Sequence, residues 1–151
     1  MSNVSADLIW EISRLQNAYL VKRKTGGAPQ FSRDPLNLAN QHSRKYAGYV
    51  NDKAVGISAN EKGAVQVKSK KAGSGNKPAS GVHTVTYGGN KTSRKTYKAV
   101  ANQVAKNGYR ADLRDVAVSR VSAIRRSQRA VKPTPEQKLR GNAAKRAAAK
   151  Q

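Results

Sequence analysis

The sequence predicts an α+β fold: a small antiparallel β-sheet domain with an N-terminal helix, followed by two amphipathic helices and a basic C-terminal tail. Three observations support this prediction. Short runs rich in β-branched residues are separated by turn-forming residues in the middle of the chain, as in strands joined by short loops. After residue 90 the apolar residues recur at helical spacing. The residues after Pro133 are rich in Ala and have almost no apolar face.

The N-terminal third contains one predicted helix and a long loop. Apolar residues recur at helical spacing from Leu8 to Tyr19, which indicates a short helix. Residues 18–22 are expected to become extended. Residues 31–51 are typical of a loop because Pro and Asn recur there, and a short strand is possible around Tyr46 and Tyr49.

The central third contains the strands of the predicted sheet. Residues 54–58, 64–70 and 82–87 are short and β-branched, and the second run alternates apolar with polar side chains. Residues 60–63 are a plausible hairpin loop. Residues 72–78 form a flexible basic loop by composition.

The two helices after residue 90 are predicted from their apolar stripes. The first carries Tyr97 on its stripe and should end at Asn107-Gly108. The second is expected to start with Asp112 as its N-cap and to finish before Pro133. Its predicted apolar face comprises Leu113, Val116, Ala117, Val121 and Ile124.

The chain is therefore divided into an α+β domain at residues 1–132 and a tail at residues 133–151. In the tail, residues 134–137 have the features of a capping box. The Ala-rich segment has good helix propensity but is marginal alone, so we expect it to be helical only when bound. No internal repeat is visible.

Charge is the strongest functional signal. The chain contains thirty Lys and Arg and eight Asp and Glu, which gives a formal net charge of +22. The segment from Lys62 to Arg110 has eleven basic residues and no acidic residue, whereas an ordinary solvated surface mixes both signs. Nucleic acid is the polyanion that best explains such tracts, because neutralised phosphates release counterions.

Other classes of function lack support. No run approaches the roughly 20 apolar residues of a membrane span, and the first twenty residues lack the apolar core of a secretory signal. Two His without any Cys form no metal-binding or catalytic pattern. We therefore expect no enzymatic activity, no cofactor, no bound metal and no small-molecule substrate. Leu, Ile, Val and Phe make up only 26 of 151 residues, so the core must be small.

Basic residues and one aromatic are the candidate RNA contacts. The clusters around Lys68–Lys71 and Arg125–Lys132 are predicted to touch phosphates, although each could also serve as a nuclear localisation element. The full set of candidates is Lys22, Arg23, Lys24, Arg44, Lys45, Lys68, Lys70, Lys71, Lys77, Arg94, Lys95, Lys98, Lys106, Tyr109, Arg110, Arg114, Arg125, Arg126, Arg129 and Lys132. Among the tyrosines, Tyr109 is the better candidate for stacking on a base, whereas Tyr97 is more often a core residue.

The position of Arg120 does not decide whether its side chain belongs to the core face or contacts RNA. At 100° per residue it falls inside the apolar stripe of the second helix. It could extend its charged end to solvent or pair with a carboxylate. Alternatively, the stripe is shared with an RNA groove.

The sequence also resembles a known family. Tyr109 to Arg114, continuing through Arg120 and Ser122–Ile124 to Arg126–Gln128, resembles the C-terminal helical signature of the large-subunit ribosomal protein number twenty-eight family of eukaryotes. Earlier pieces agree in order: Trp10, Leu20–Arg23, Asn37-Leu38, Ser43, Tyr46, Gly48, Lys53, Val55-Gly56, Lys62-Gly63 and Lys77-Pro78. The resemblance covers roughly residues 5 to 132. Asp115 and the stretch around Gly73 look like local variation, and the tail matches nothing.

The resemblance implies a structural protein on the solvent side of the eukaryotic large subunit, bound to ribosomal RNA including expansion-segment RNA. It implies neighbouring ribosomal proteins as partners, no membrane, no catalysis and no cofactor. The expected location is the cytoplasmic ribosome, with nuclear and nucleolar passage during assembly.

Two alternatives remain. A nucleolar assembly factor of the large subunit has a related domain, but such a factor is expected to be longer, with cysteines and acidic tails. A DNA-compacting protein would share the electrostatics.

Overall fold

The computed structural model describes residues 4–74, 77–135 and 138–149, and confirms the α+β class. The elements run α1 (Ala6–Ser13), β1 (Leu20–Lys22), β2 (Gln30–Ser32), β3 (Val55–Ala59), β4 (Val65–Lys70), β5 (Val82–Tyr87), α2 (Ser93–Ala105), α3 (Arg114–Ser127) and α4 (Asn142–Ala148). Short 3-10 turns lie at Glu61–Gly63, Lys106–Gly108 and Ala111–Leu113. No helix among the described residues is both long and apolar enough to cross a bilayer.

The three predicted central strands form one antiparallel sheet in the order β3-β4-β5. Val67 pairs with Ile57 on one side and with Val85 on the other, so these side chains share one face of the sheet. Helices α2 and α3 cover that face. The main core cluster comprises Leu38, Val55, Ile57, Val65, Val67, Val100, Val104, Leu113, Ala117, Val121 and Ile124.

The segment between β2 and β3 crosses edge strand β3 at very short range. A Cβ at Gly56 would lie 2.1 Å from the carbonyl oxygen of Pro35, and one at Gly48 would lie 2.4 Å from Cβ of Leu36. The buried carboxylate of Asp34 holds this turn, because it accepts the backbone N–H of Leu36 at one oxygen and that of Tyr49 at the other. These glycines therefore permit the close approach, and larger residues would force the segment away.

A second, two-stranded antiparallel sheet pairs β1, which lies in the segment expected to be extended, with β2, for which no strand was predicted. The predicted short strand around Tyr46 and Tyr49 is wrong. Residues 43–51 instead form successive turns, in which the backbone N–H groups of Ala47 and Asn51 donate to the carbonyls four residues earlier.

The N-terminal helix is shorter than its apolar spacing suggested. It ends at Ser13, whose hydroxyl lies 3.0 Å from the hydroxyl of Tyr49. The ring of Trp10 packs on that of His42. Leu8 and Ile12 are 53% and 74% exposed, so the apolar face predicted for this helix is largely on the surface.

The C-terminal helices agree with prediction in place but not in detail. Asn107 and Gly108 both have positive φ, as expected for the stop after α2. Asp112 is not an N-cap: Leu113 occupies that position and the Asp112 carboxylate pairs with Arg110. Helix α3 ends at Ser127, six residues before Pro133.

The tail contains the seven-residue helix α4, preceded by Gly141 with φ of 60°. Of the predicted capping box, Glu136 and Gln137 lie outside the described residues. The boundary at residue 132 and the prediction that the tail is helical only when bound remain predictions.

Candidate nucleic-acid interface

Fourteen of the twenty candidate residues are exposed cations. They lie at the end of β1 and in the turn after it, in the 43–51 turns, in the β4–β5 connection, and along α2, α3 and the residues after α3. The exposed set is Lys22, Arg23, Lys24, Lys45, Lys71, Lys77, Arg94, Lys95, Lys98, Lys106, Arg114, Arg126, Arg129 and Lys132.

Few of these charges are neutralised within the chain. Of the fourteen, only Arg114 is in an ion pair with a described residue, 3.6 Å from Asp115. Lys45 instead lies over the ring of Tyr46, at 5.6 Å from its centroid. An exposed cation without an anionic partner is free to neutralise a phosphate.

Three other candidates form a cluster at one end of the sheet. The Tyr109 hydroxyl lies 2.6 Å from the carbonyl oxygen of Lys70 and 3.2 Å from that of Ala54. The Lys70 ammonium donates to the carbonyls of Tyr49 and Asn51. Burial lowers the pKa of Lys70, even though nearby carboxylates act in the opposite direction, and burial raises the pKa of Tyr109.

Arg110 joins this cluster to the connection between α2 and α3. Its guanidinium pairs with Asp112 at 2.8 Å and donates to the carbonyls of Lys53 and Lys45. The hydrogen bond from Arg110 holds the pKa of Asp112 below its ordinary value. Lys70, Tyr109 and Arg110 thus have defined intramolecular partners, and any contact they make with RNA remains a prediction.

Arg44 is also held within the chain. It pairs with Asp7 of α1 at 2.8 Å and donates to the side chain of Asn51, so it links the N-terminal helix to the turns before β3. Its RNA contact likewise remains a prediction.

The prediction that Arg125 contacts phosphate at the surface needs correction. Arg125 is only 8% exposed. Its guanidinium donates to the carbonyls of Gly63 at 3.1 Å, Gly89 at 3.1 Å and Gly88 at 2.9 Å, and lies 3.3 Å from Oγ1 of Thr96. The residue therefore ties the β3–β4 turn to the β5–α2 connection, and the cluster assigned to phosphate is left with Arg126, Arg129 and Lys132 on the surface.

The structure also answers the question of where Arg120 lies. It pairs with no carboxylate among the described residues, and its Nε is buried without a hydrogen-bond partner. It lines a cavity of about 360 Å³ at the edge of β3, together with the candidate Lys68. Arg33 lines the same cavity and was not among the candidates, because it is an isolated basic residue next to Asp34 rather than part of a basic cluster.

These features define a small basic α+β protein whose surface cations largely lack intramolecular partners. The model of the Ribosomal L28e protein family matches residues 8–127. The chain belongs to this family, as the sequence resemblance predicted.

Full-length relatives are similar over most of the chain. The Large ribosomal subunit protein eL28 of Schizosaccharomyces pombe is 42% identical over 128 residues, which cover 84% of this chain and 95% of that protein. The proteins of the same name from Caenorhabditis elegans and Dictyostelium discoideum are 33% and 30% identical, over 83% and 92% of this chain and 91% and 100% of their own lengths.

Proposed function

We propose that this chain is a structural constituent of the eukaryotic cytosolic large ribosomal subunit and that it binds ribosomal RNA through phosphate contacts. The observation that carries the proposal is the set of fourteen exposed candidate cations, of which one is in an ion pair with a described residue. Family membership and the names of the relatives support the ribosomal setting.

The physical role follows from charge. Folded RNA brings phosphates close together, and a compact cationic domain between two RNA segments lowers their mutual repulsion. Because the cations lie on several elements of one small fold, they can contact more than one segment. The bound RNA includes expansion-segment RNA, neighbouring ribosomal proteins complete the surroundings, and the protein passes through the nucleus and nucleolus during assembly.

The experiment is a titration of the full chain with a large-subunit RNA fragment at several salt concentrations. Log affinity should fall linearly with log salt, with a slope of about 0.7 to 0.9 for each phosphate contact. A flat response would remove electrostatics as the driving force and contradict the proposal.

A pair of variants sharpens the test on α3 and the residues after it. The double variant Arg126→Gln with Arg129→Gln should reduce the slope of log affinity against log salt by the share of about two phosphate contacts. The matched double variant with Lys at both positions keeps the charge and should retain the slope. Both positions are exposed, so the free energy of unfolding should change by less than about 0.5 kcal/mol.

The stage at which the protein acts is tested by its distribution among particles. A structural constituent copurifies in stoichiometric amount with mature large subunits. Presence on precursors alone would instead identify an assembly factor.

A further inference from the structure

The cavity at the edge of β3 collects three cations from three different elements. Arg33 follows β2, Lys68 lies on β4, and Arg120 reaches over from the middle of α3. None of the three forms a hydrogen bond or ion pair through its side chain with any described residue. Like charges around one cavity repel one another, and an anion bound in the cavity would lower that repulsion.

Asp34, the carboxylate that lines the cavity, does not supply that anion. It is 4% exposed, and each of its oxygens already accepts a backbone N–H. It holds the turn in place, and its charge offsets only part of the three positive charges around it.

Arg120 is the residue that a purely structural explanation leaves unaccounted for. It lies four residues from both Val116 and Ile124, on the face of α3 that packs over the sheet. Its buried Nε donates to no described atom, and a buried donor without a partner is destabilising. The Nε of Arg125 is also unpartnered, but the terminal nitrogens of Arg125 donate to carbonyls, whereas those of Arg120 donate to no described residue. An apolar side chain of similar length would fill the stripe without that cost, so the guanidinium requires another explanation.

We propose that this cavity binds a backbone phosphate of the RNA together with its attached nucleoside, with Arg120, Arg33 and Lys68 contacting the phosphate. The inference rests on the proposed function and names a specific pocket within it.

The dimensions and chemistry of the cavity fit this occupant. Its volume of about 360 Å³ lies in the range of roughly 300–1,000 Å³ that holds small ligands, and exceeds what a phosphate group alone needs. Two guanidinium groups suit phosphate, since their planar forks form paired hydrogen bonds with its oxygens. Pro35 and Ile57 supply apolar contact for the sugar or base.

The test follows the Arg120 Nε–H resonance by NMR in the full chain. We expect a uridine trinucleotide to shift this resonance saturably. Arg33→Gln and Lys68→Gln should each weaken that binding about tenfold, the effect of losing one charge-assisted hydrogen bond. The matched control Lys91→Gln removes the same charge from an exposed residue between β5 and α2 that lies outside the cavity and is not a candidate RNA contact. It should change the affinity for the trinucleotide less than twofold at physiological ionic strength.

Arg120→Met provides an independent variant that keeps the apolar packing. It should fold at least as stably as the natural sequence and bind the RNA fragment less tightly than Lys91→Gln does. Equal affinity of Arg120→Met and Lys91→Gln for the fragment would overturn the pocket assignment.

Three further outcomes would also overturn it: no shift with the trinucleotide, equal affinity for inorganic phosphate, or tighter binding of hexaglutamate, which would point to an acidic protein segment. In each of these cases a steep salt dependence with the long RNA fragment would leave the proposed function standing. Loss of that salt dependence would contradict the proposed function itself.

Discussion

Replacing Arg125 with Met tests whether one buried guanidinium holds two turns of the fold together. The Met side chain retains most of the apolar stem and removes all the donors. Three of the hydrogen bonds to backbone carbonyls are 3.1 Å or shorter, and each hydrogen bond to a charged group contributes about 1.5–3 kcal/mol. Removing a buried charge recovers part of this through desolvation. We therefore expect the free energy of unfolding to fall by about 2–4 kcal/mol.

Urea denaturation followed by circular dichroism measures this change, with Arg126→Met as the matched control. Arg126 is the next residue but is exposed, so its replacement should change the free energy of unfolding by less than about 0.5 kcal/mol. If both variants unfold at the same urea concentration, the carbonyl contacts of Arg125 contribute no net stability and the assignment of a structural role is refuted.

Three further perturbations address other parts of the fold. Gly56→Ala should lower the midpoint of thermal unfolding by several degrees, because its Cβ would meet the Pro35 carbonyl, whereas Gly88→Ala, with open space around it, should change the midpoint little. The pKa of Asp112 is lowered in the folded state, so its contribution to the free energy of unfolding is present above about pH 4 and is lost as the pH falls through the folded pKa. Asp112→Asn removes this contribution, so the free energy of unfolding of the variant should decrease less in acid. Truncation after Lys132 should leave the unfolding midpoint unchanged and lower both RNA affinity and its salt slope, as measured by the same titration.

The order of strands and helices could be predicted because it depends on local pattern. The alternation around Val65 and Val67 fixed β4, and the glycine after Asn107 marked the end of α2. What the sequence missed depends on contacts between distant residues. The turns around Tyr46 and Tyr49 exist because Gly48 and Gly56 let the chain pack against Leu36 and Pro35, which no local propensity reveals.

The position of Arg125 illustrates how residue type can mislead. It lies four residues after the fully buried Val121, so helical spacing alone places it next to the core. Its charge suggested the surface instead. The carbonyls that accept its hydrogen bonds come from Gly63, Gly88 and Gly89, and no local sequence pattern indicates that these residues meet. Asp112 was likewise predicted as an N-cap from its residue type, whereas in the structure its carboxylate pairs with Arg110.

The surplus of exposed cations has a consequence for handling the protein without RNA. Among the described residues, four ion pairs offset a small part of the charge, so the free fold is under self-repulsion at low ionic strength. Added salt shortens the distance over which these cations repel one another, to about 8 Å at 0.15 M. The salt that releases the protein from RNA therefore also weakens the repulsion within the released fold, and we expect low-salt buffer without RNA to lower the stability of the free protein.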